Sequence, residues 1–291
     1  MGGDVNLFAT VGGTVAVTCD PSCQVNVSGI GSNGEAGGSG RGGNINIYAD
    51  GGSLAQSGNI ALTANGHGSS GAIGQFNGSG TGGAIRIEAR AGSPNPTSLS
   101  LGNLIASSNG DLSYNVETPD VAQGNAGNGF GGSVQISVNA GTFSAGSLDL
   151  NASGFGGAAA TNTTDSTPYQ AGFGAGGSVR FTMNGGTADI TTLTMTAAGV
   201  GGLASEGFLD GSVTGVAALA GRGFGGSTRL TGNGGTLRVG ALTLDSAGTG
   251  GGFIPFIDQS GYGGIDTLTT IGGRGDGGFA SFYNNGSDIT L

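Results

Sequence analysis

Gly131-Gly132-Ser133-Val134-Gln135-Ile136 opens a unit that runs through Gly141-Thr142 to Ser147-Leu148-Asp149-Leu150-Asn151-Ala152-Ser153-Gly154. A glycine pair precedes a run of alternating apolar residues. A second glycine turn then leads into another alternating run. Period-two alternation turns successive side chains to opposite faces of a strand. Val134, Ile136, Leu148 and Leu150 form the apolar set, with Gln, Ser, Asp and Asn between them. No stretch of the chain carries a 3.6-residue apolar period with caps, so essentially no helix is expected.

The opening phrase recurs. Copies start at residues 2, 42, 82, 131, 176, 225 and 277, with spacings of 40, 40, 49, 45, 49 and 52 residues. A recurring supersecondary unit decides the architecture before any local reading does. Two or three short strands separated by glycine corners make one coil of a β-solenoid. Glycine suits the corners because the chain there needs a positive φ or a close backbone approach. The fold class is therefore all-β, a parallel β-solenoid forming one repeat domain over residues 1–291. Equivalent strands stack about 4.8 Å apart, which gives a core roughly 30–35 Å long. The inner ladder of the first strand is predicted as Leu7, Ile47, Ile87, Ile136, Phe181, Leu230 and Phe282.

Between the constant parts lie glycine-rich insertions at about 29–41, 65–81, 108–130, 153–175, 198–224 and 248–276. Insertions at one corner of every coil project from one side of the rod. Their closing flanks repeat Gly-Phe-Gly at 129–131, 172–174 and 223–225, and are expected to run extended and pack together. The final residues, Gly286 to Leu291, match the middle of a repeat, and no polar cap is visible at either end. That pattern reads as a segment of a longer repeat protein or a subunit of a fibre.

Composition narrows the function. Of 291 residues 69 are Gly, and 18 acidic residues face 8 arginines, with no Lys and a net charge of −10. A phosphate-binding P-loop needs a Lys, and nucleic acid needs clustered basic residues, so both are poor readings. No apolar run reaches membrane-spanning length, and no signal peptide is visible at the start. Cys19 and Cys23 flank Asp20-Pro21-Ser22 and are expected to form a disulfide, which would place the chain in an oxidising compartment.

Gly-Gly-Ser-Val-Gln-Ile (131–136), Ser-Leu-Asp-Leu-Asn-Ala-Ser-Gly (147–154) and Ala-Leu-Thr-Leu-Asp-Ser-Ala-Gly (241–248) resemble the glycine-rich β-helical repeats of bacterial filamentous-haemagglutinin-like adhesins and autotransporter passengers. The likeness is one of repeat grammar and covers nearly the whole chain. It implies a right-handed parallel β-helix, export to the bacterial cell surface, and a role in adhesion, aggregation or biofilm matrix. The long insertions depart from the plainer passenger repeat and leave room for a self-assembling extracellular filament.

Candidate sites are few. Asp149, Asp189 and Asp245 fall at different strand positions and do not stack as a carboxylate pair for glycosidase or lyase chemistry. The single His, His67, has no nucleophile motif beside it. No catalytic or cofactor residue is assigned, and the chain reads as non-enzymatic. Acidic residues concentrate in the insertions, where solubilising charge is the simpler reading. Asp258, Asp266 and Asp276 remain Ca²⁺ candidates, as the only cofactor in view. Arg274-Gly275-Asp276 is an integrin-like tripeptide whose Arg is read as repeat grammar. Among the insertion aromatics, Tyr114, Tyr169, Phe256 and Tyr262 are candidates for partner contact against the simpler expectation of a satellite core. Expected partners are further copies, end to end or side by side, and otherwise a cell-surface glycan or receptor.

Overall fold

The computed structural model describes residues 1–32, 37–69, 77–92, 95–112, 125–159, 169–205, 218–254 and 273–291. Among them there is no helix, and the strands stack in parallel sheets. The chain is a parallel β-solenoid of seven coils.

The first sheet has seven strands: Asp4–Thr10, Asn44–Asp50, Ala84–Arg90, Ser133–Val138, Ser178–Met183, Ser227–Gly232 and Phe279–Asn284. Leu7, Ile47, Ile87, Ile136, Phe181, Leu230 and Phe282 lie opposite one another rung by rung along this sheet. Ile87, Ile136, Phe181 and Leu230 are fully enclosed, each at 0% exposure. Phe282 differs from a core residue. It keeps the register but is 47% exposed in the last described coil.

The second sheet faces the first across the core. Its strands include Thr14–Asn26, Ser53–Thr63, Thr142–Asn151, Thr187–Thr196, Thr236–Asp245 and Asp288–Thr290, and the third coil divides the strand into Ser98–Leu101 and Asn103–Ser107. Phe143 of this sheet meets Phe181 of the first edge to face, with ring centroids 6.0 Å apart. The turn between the two sheets carries Gly12, Gly51, Gly141, Gly186, Gly235 and Gly286, all with φ between 65° and 94°. That left-handed conformation is the one other residues rarely adopt.

The expected two or three strands per coil become four. The glycine-rich flanks form a third sheet, Gly29–Ile30, Gly66–Gly68, Gly110–Leu112, Gly154–Phe155, Gly199–Val200 and Gly248–Thr249. A fourth sheet runs Gly40–Arg41, Gly80–Thr81, Gly129–Phe130, Gly174–Ala175, Gly223–Phe224 and Gly275–Asp276. The insertions of every complete coil therefore leave from the third sheet and return on the fourth. These two sheets meet backbone to backbone. A Cβ on Gly174 would fall 2.1 Å from the Val200 carbonyl oxygen, and one on Gly154 2.1 Å from that of Ala175. The glycine hydrogens thus point at facing carbonyls, the geometry of Cα–H···O contacts.

The repeated Gly-Gly pair closes each coil where this thin layer joins the core. Its second glycine donates its N–H to a carbonyl across the coil, as in Gly132 to Ser108 and Gly177 to Ala152, each at 2.7 Å. A Cβ on its first glycine would collide with the same carbonyls, at 2.1 Å for Gly131 and Ala152. Small buried residues, among them Ala64, Ser108, Ala152 and Ala197, occupy this neck for the same reason.

Candidate functional site

The structure brings Cys19 and Cys23 together in a disulfide. They enclose an irregularity in the first coil, where the pairing of Thr14–Asn26 with Ser53–Thr63 shifts register between Thr18 and Ser22. The bond therefore pins an outward bulge on one strand and joins no two coils.

Among the described residues no group of three or more metal-ligating side chains is assembled. Asp258 and Asp266 lie outside the described residues. Asp276 is taken up by two guanidinium groups, Arg274 Nε at 2.6 Å from Oδ1 and Arg222 Nη2 at 3.0 Å from Oδ2. Burial works to raise the Asp276 carboxyl pKa, but the hydrogen bonds from Arg274 and Arg222 prevail and lower it. Both Asp276 oxygens are thus engaged by guanidinium partners. Arg274-Gly275-Asp276 is likewise internally paired, with Gly275–Asp276 in the fourth sheet.

Of the aromatic candidates, Tyr114, Phe256 and Tyr262 lie outside the described residues. Tyr169 is half-buried and packs on Ala159, Ala204 and Ala218 in a small satellite cluster. Its place in this cluster fits the satellite-core expectation.

Two groupings were not anticipated. His67 and Asp111 stand opposite each other on adjacent rungs of the third sheet, with Nδ1 and Oδ1 2.5 Å apart. The hydrogen bond to Asp111 raises the His67 pKa, against the opposing effect of burial and with further help from the carboxylate charge. No hydroxyl among the described residues is hydrogen-bonded to the imidazole. The shared Asn-Gly phrase at 65–66 and 109–110 was the signal that aligns them. Asn109 N–H donates to Asn65 Oδ1 at 2.8 Å, and Ser153 N–H to Asn109 Oδ1 at 2.8 Å, continuing a polar ladder.

The second grouping lies on the outer face of the first sheet. Phe8 stacks on Tyr48 with centroids 4.6 Å apart, and Arg90 lies 4.0 Å over the same tyrosine ring. Arg90 Nε also donates to Glu88 Oε2 at 3.0 Å, while Asn139 Nδ2 donates to Oε1 at 2.8 Å. Glu88 is thereby only 7% exposed although its strand position points outward. Asn6, Asn46 and Arg86 complete a shallow groove around these residues. A charge-assisted cluster of this kind fixes its side chains.

Compared with protein-family models, with curated proteins and with solved structures, the chain matches none.

Proposed function

We propose that the chain is a non-enzymatic structural element of an exported bacterial surface protein, an adhesin stalk or a self-assembling extracellular filament. One observation supports this reading above the others. The repeated residues of every coil go into a single in-register stack, with four parallel sheets running along one axis. An axial load on such a rod is shared by the ladders of all four sheets. Electron microscopy of the purified chain in negative stain, over a concentration series with and without Ca²⁺, tests the reading. Fibres with a regular axial repeat support the filament, and isolated short rods at every concentration support the stalk. Particles that are neither rods nor fibres would overturn it.

A further inference from the structure

We infer that opposite faces of the rod carry complementary charge, and that the outer face of the first sheet in one copy docks side by side against the outer face of the second sheet in another. The inference deepens the structural reading above by naming the lateral contact. It begins with a count. On coils three to six, the outward positions of the first sheet hold Arg86, Arg90, Arg180 and Arg229 against Glu88 alone, a net of three positive charges. Half of the arginines of a chain with net charge −10 thus stand on one face. The remaining acidic residues of that face, Asp4 and Asp50, lie on the first two coils.

The second sheet shows the reverse. Its outward positions on coils four to seven hold Asp149, Asp189, Asp245 and Asp288, one per coil, against Arg238, a net of three negative charges. Both inner faces share one core, so the two charged faces look away from each other. They cannot neutralise one another within a single copy.

The charges are also available. Arg86, Arg180, Arg229, Asp149 and Asp189 are exposed. Among the described residues, Arg180, Asp149, Asp189 and Asp288 make no ion pair or side-chain hydrogen bond, and Arg238 is unpaired although it lies one rung from Asp189. Arg229 is steadied on the face by its Nε hydrogen bond to Thr231 at 3.0 Å and by its place 5.9 Å over the Tyr283 ring.

Geometry favours another copy as the occupant. Both faces repeat with the same rung spacing of about 4.8 Å, so two parallel rods bring the arginines of coils three, five and six opposite acidic rungs, while coil four, with Ser133, Gln135 and Ser137 outward, adds no charge. The basic patch begins one coil before the acidic patch, which sets an axial offset of one coil between neighbours. Four coils of strand present on the order of 400 Å² per copy. That is well below a standard stable interface, so each contact is weak and sensitive to salt. Repetition along a longer rod multiplies it by avidity. The contact is heterologous, and so propagates into sheets or bundles of rods.

The test is sedimentation velocity of the 291-residue chain in about 20 mM and about 500 mM NaCl, where screening lengths differ several-fold. Association that rises with protein concentration is expected at low salt and is expected to vanish at high salt. The variants Arg180→Glu/Arg229→Glu and Asp149→Arg/Asp189→Arg each turn both faces to one sign. Each alone is expected to associate at least tenfold more weakly, and an equimolar mixture of the two is expected to recover association. Unchanged far-UV circular dichroism and melting midpoint show that the variants keep their fold. A wild-type chain that stays monomeric at low salt overturns the inference, as do variants that associate alone as wild type does. A monomeric chain retained on alginate through Arg180 and Arg229 would also overturn it, assigning the face to an acidic polysaccharide. Fibres one rod wide, unaltered in both variants, would leave the structural reading standing while this contact fails.

Discussion

Replacement of Gly174 by Ala tests the physical idea on which the thin half of the solenoid rests. A Cβ at this position would lie 2.1 Å from the Val200 carbonyl oxygen and 2.4 Å from that of Gly154. Ordinary contact needs about 3.4 Å, so the facing strands must part by roughly 1 Å. Neither obstacle is a side chain that can rotate away. Gly174 is itself held in its rung, with its N–H donating to Arg222 O at 3.0 Å and its neighbours Gly129 and Gly223 in register. A gap of that size forfeits about a quarter to a half of the dispersion attraction across the layer, and the local Cα–H···O contacts with it. Overpacking usually costs about 1–3 kcal/mol, and a site with two backbone collisions belongs at the top of that range, near 3 kcal/mol. For a chain of this size the melting midpoint should drop by about 5 °C. Gly3→Ala is the control, since a Cβ there meets nothing within 4 Å, and it should change stability by less than about 0.5 kcal/mol. Urea and thermal unfolding followed by far-UV circular dichroism measure both. Equal midpoints for the two variants would refute the close-packed glycine layer.

Position along the ladder sets the cost of truncating its aromatic residues: Phe181→Ala, at 0% exposure, should lose about 3–5 kcal/mol, and Phe282→Ala, at 47%, less than about 1.5, by the same unfolding assay. Reduction of Cys19–Cys23 removes a five-residue loop constraint worth about 2 kcal/mol, and amide hydrogen exchange should report its loss in the first coil before any other. His67 has a raised pKa in the folded chain, so its pairing with Asp111 stabilises fully below the unfolded value of about 6.5 and less as pH rises through the folded value. The stability difference between wild type and Asp111→Asn, measured across that window, should therefore shrink with rising pH; a difference that grows would contradict the pairing.

The ladder from Leu7 to Phe282 was legible because valine, isoleucine and phenylalanine announce their face by alternation, and the Gly-Gly pair fixes the register of each copy. The third and fourth sheets were not. Their strands are two or three residues long and built on glycine, which has no side chain with which to mark a face. What reads as the border of an insertion is closely apposed backbone. His67 and Asp111 escaped for a related reason. They stand 44 residues apart, and only the short Asn-Gly phrase ties their segments to one rung. The charged faces were hidden differently. Arg180 and Asp189 are nine residues apart in the chain yet on opposite sides of the rod, so a count of net charge merges what the fold separates.

Glycine serves two physical ends in this chain, and the difference decides what substitution does. At Gly12 the reason is conformational: φ is 73°, and a Cβ would meet only the Asn95 side chain at 3.3 Å. Asparagine tolerates that region better than alanine does, so Gly12→Asn should be milder than Gly12→Ala. At Gly174 the reason is space, and asparagine brings the same Cβ into the same two carbonyls. There Gly174→Asn should be at least as harmful as Gly174→Ala. Glycine is thus replaceable at an open corner such as Gly12, but neither in the layer nor at a corner such as Gly141, where a Cβ would fall 2.1 Å from the Thr97 carbonyl oxygen. It follows that 69 glycines do not make this chain a flexible one. Glycine loses more conformational entropy on ordering than any other residue. A sheet built from it forms only when the backbone contact left by the missing side chains is close enough to offset that loss. The opposed carbonyls of the third and fourth sheets supply such contact in coil after coil, so the rigidity of the rod and its composition have one cause.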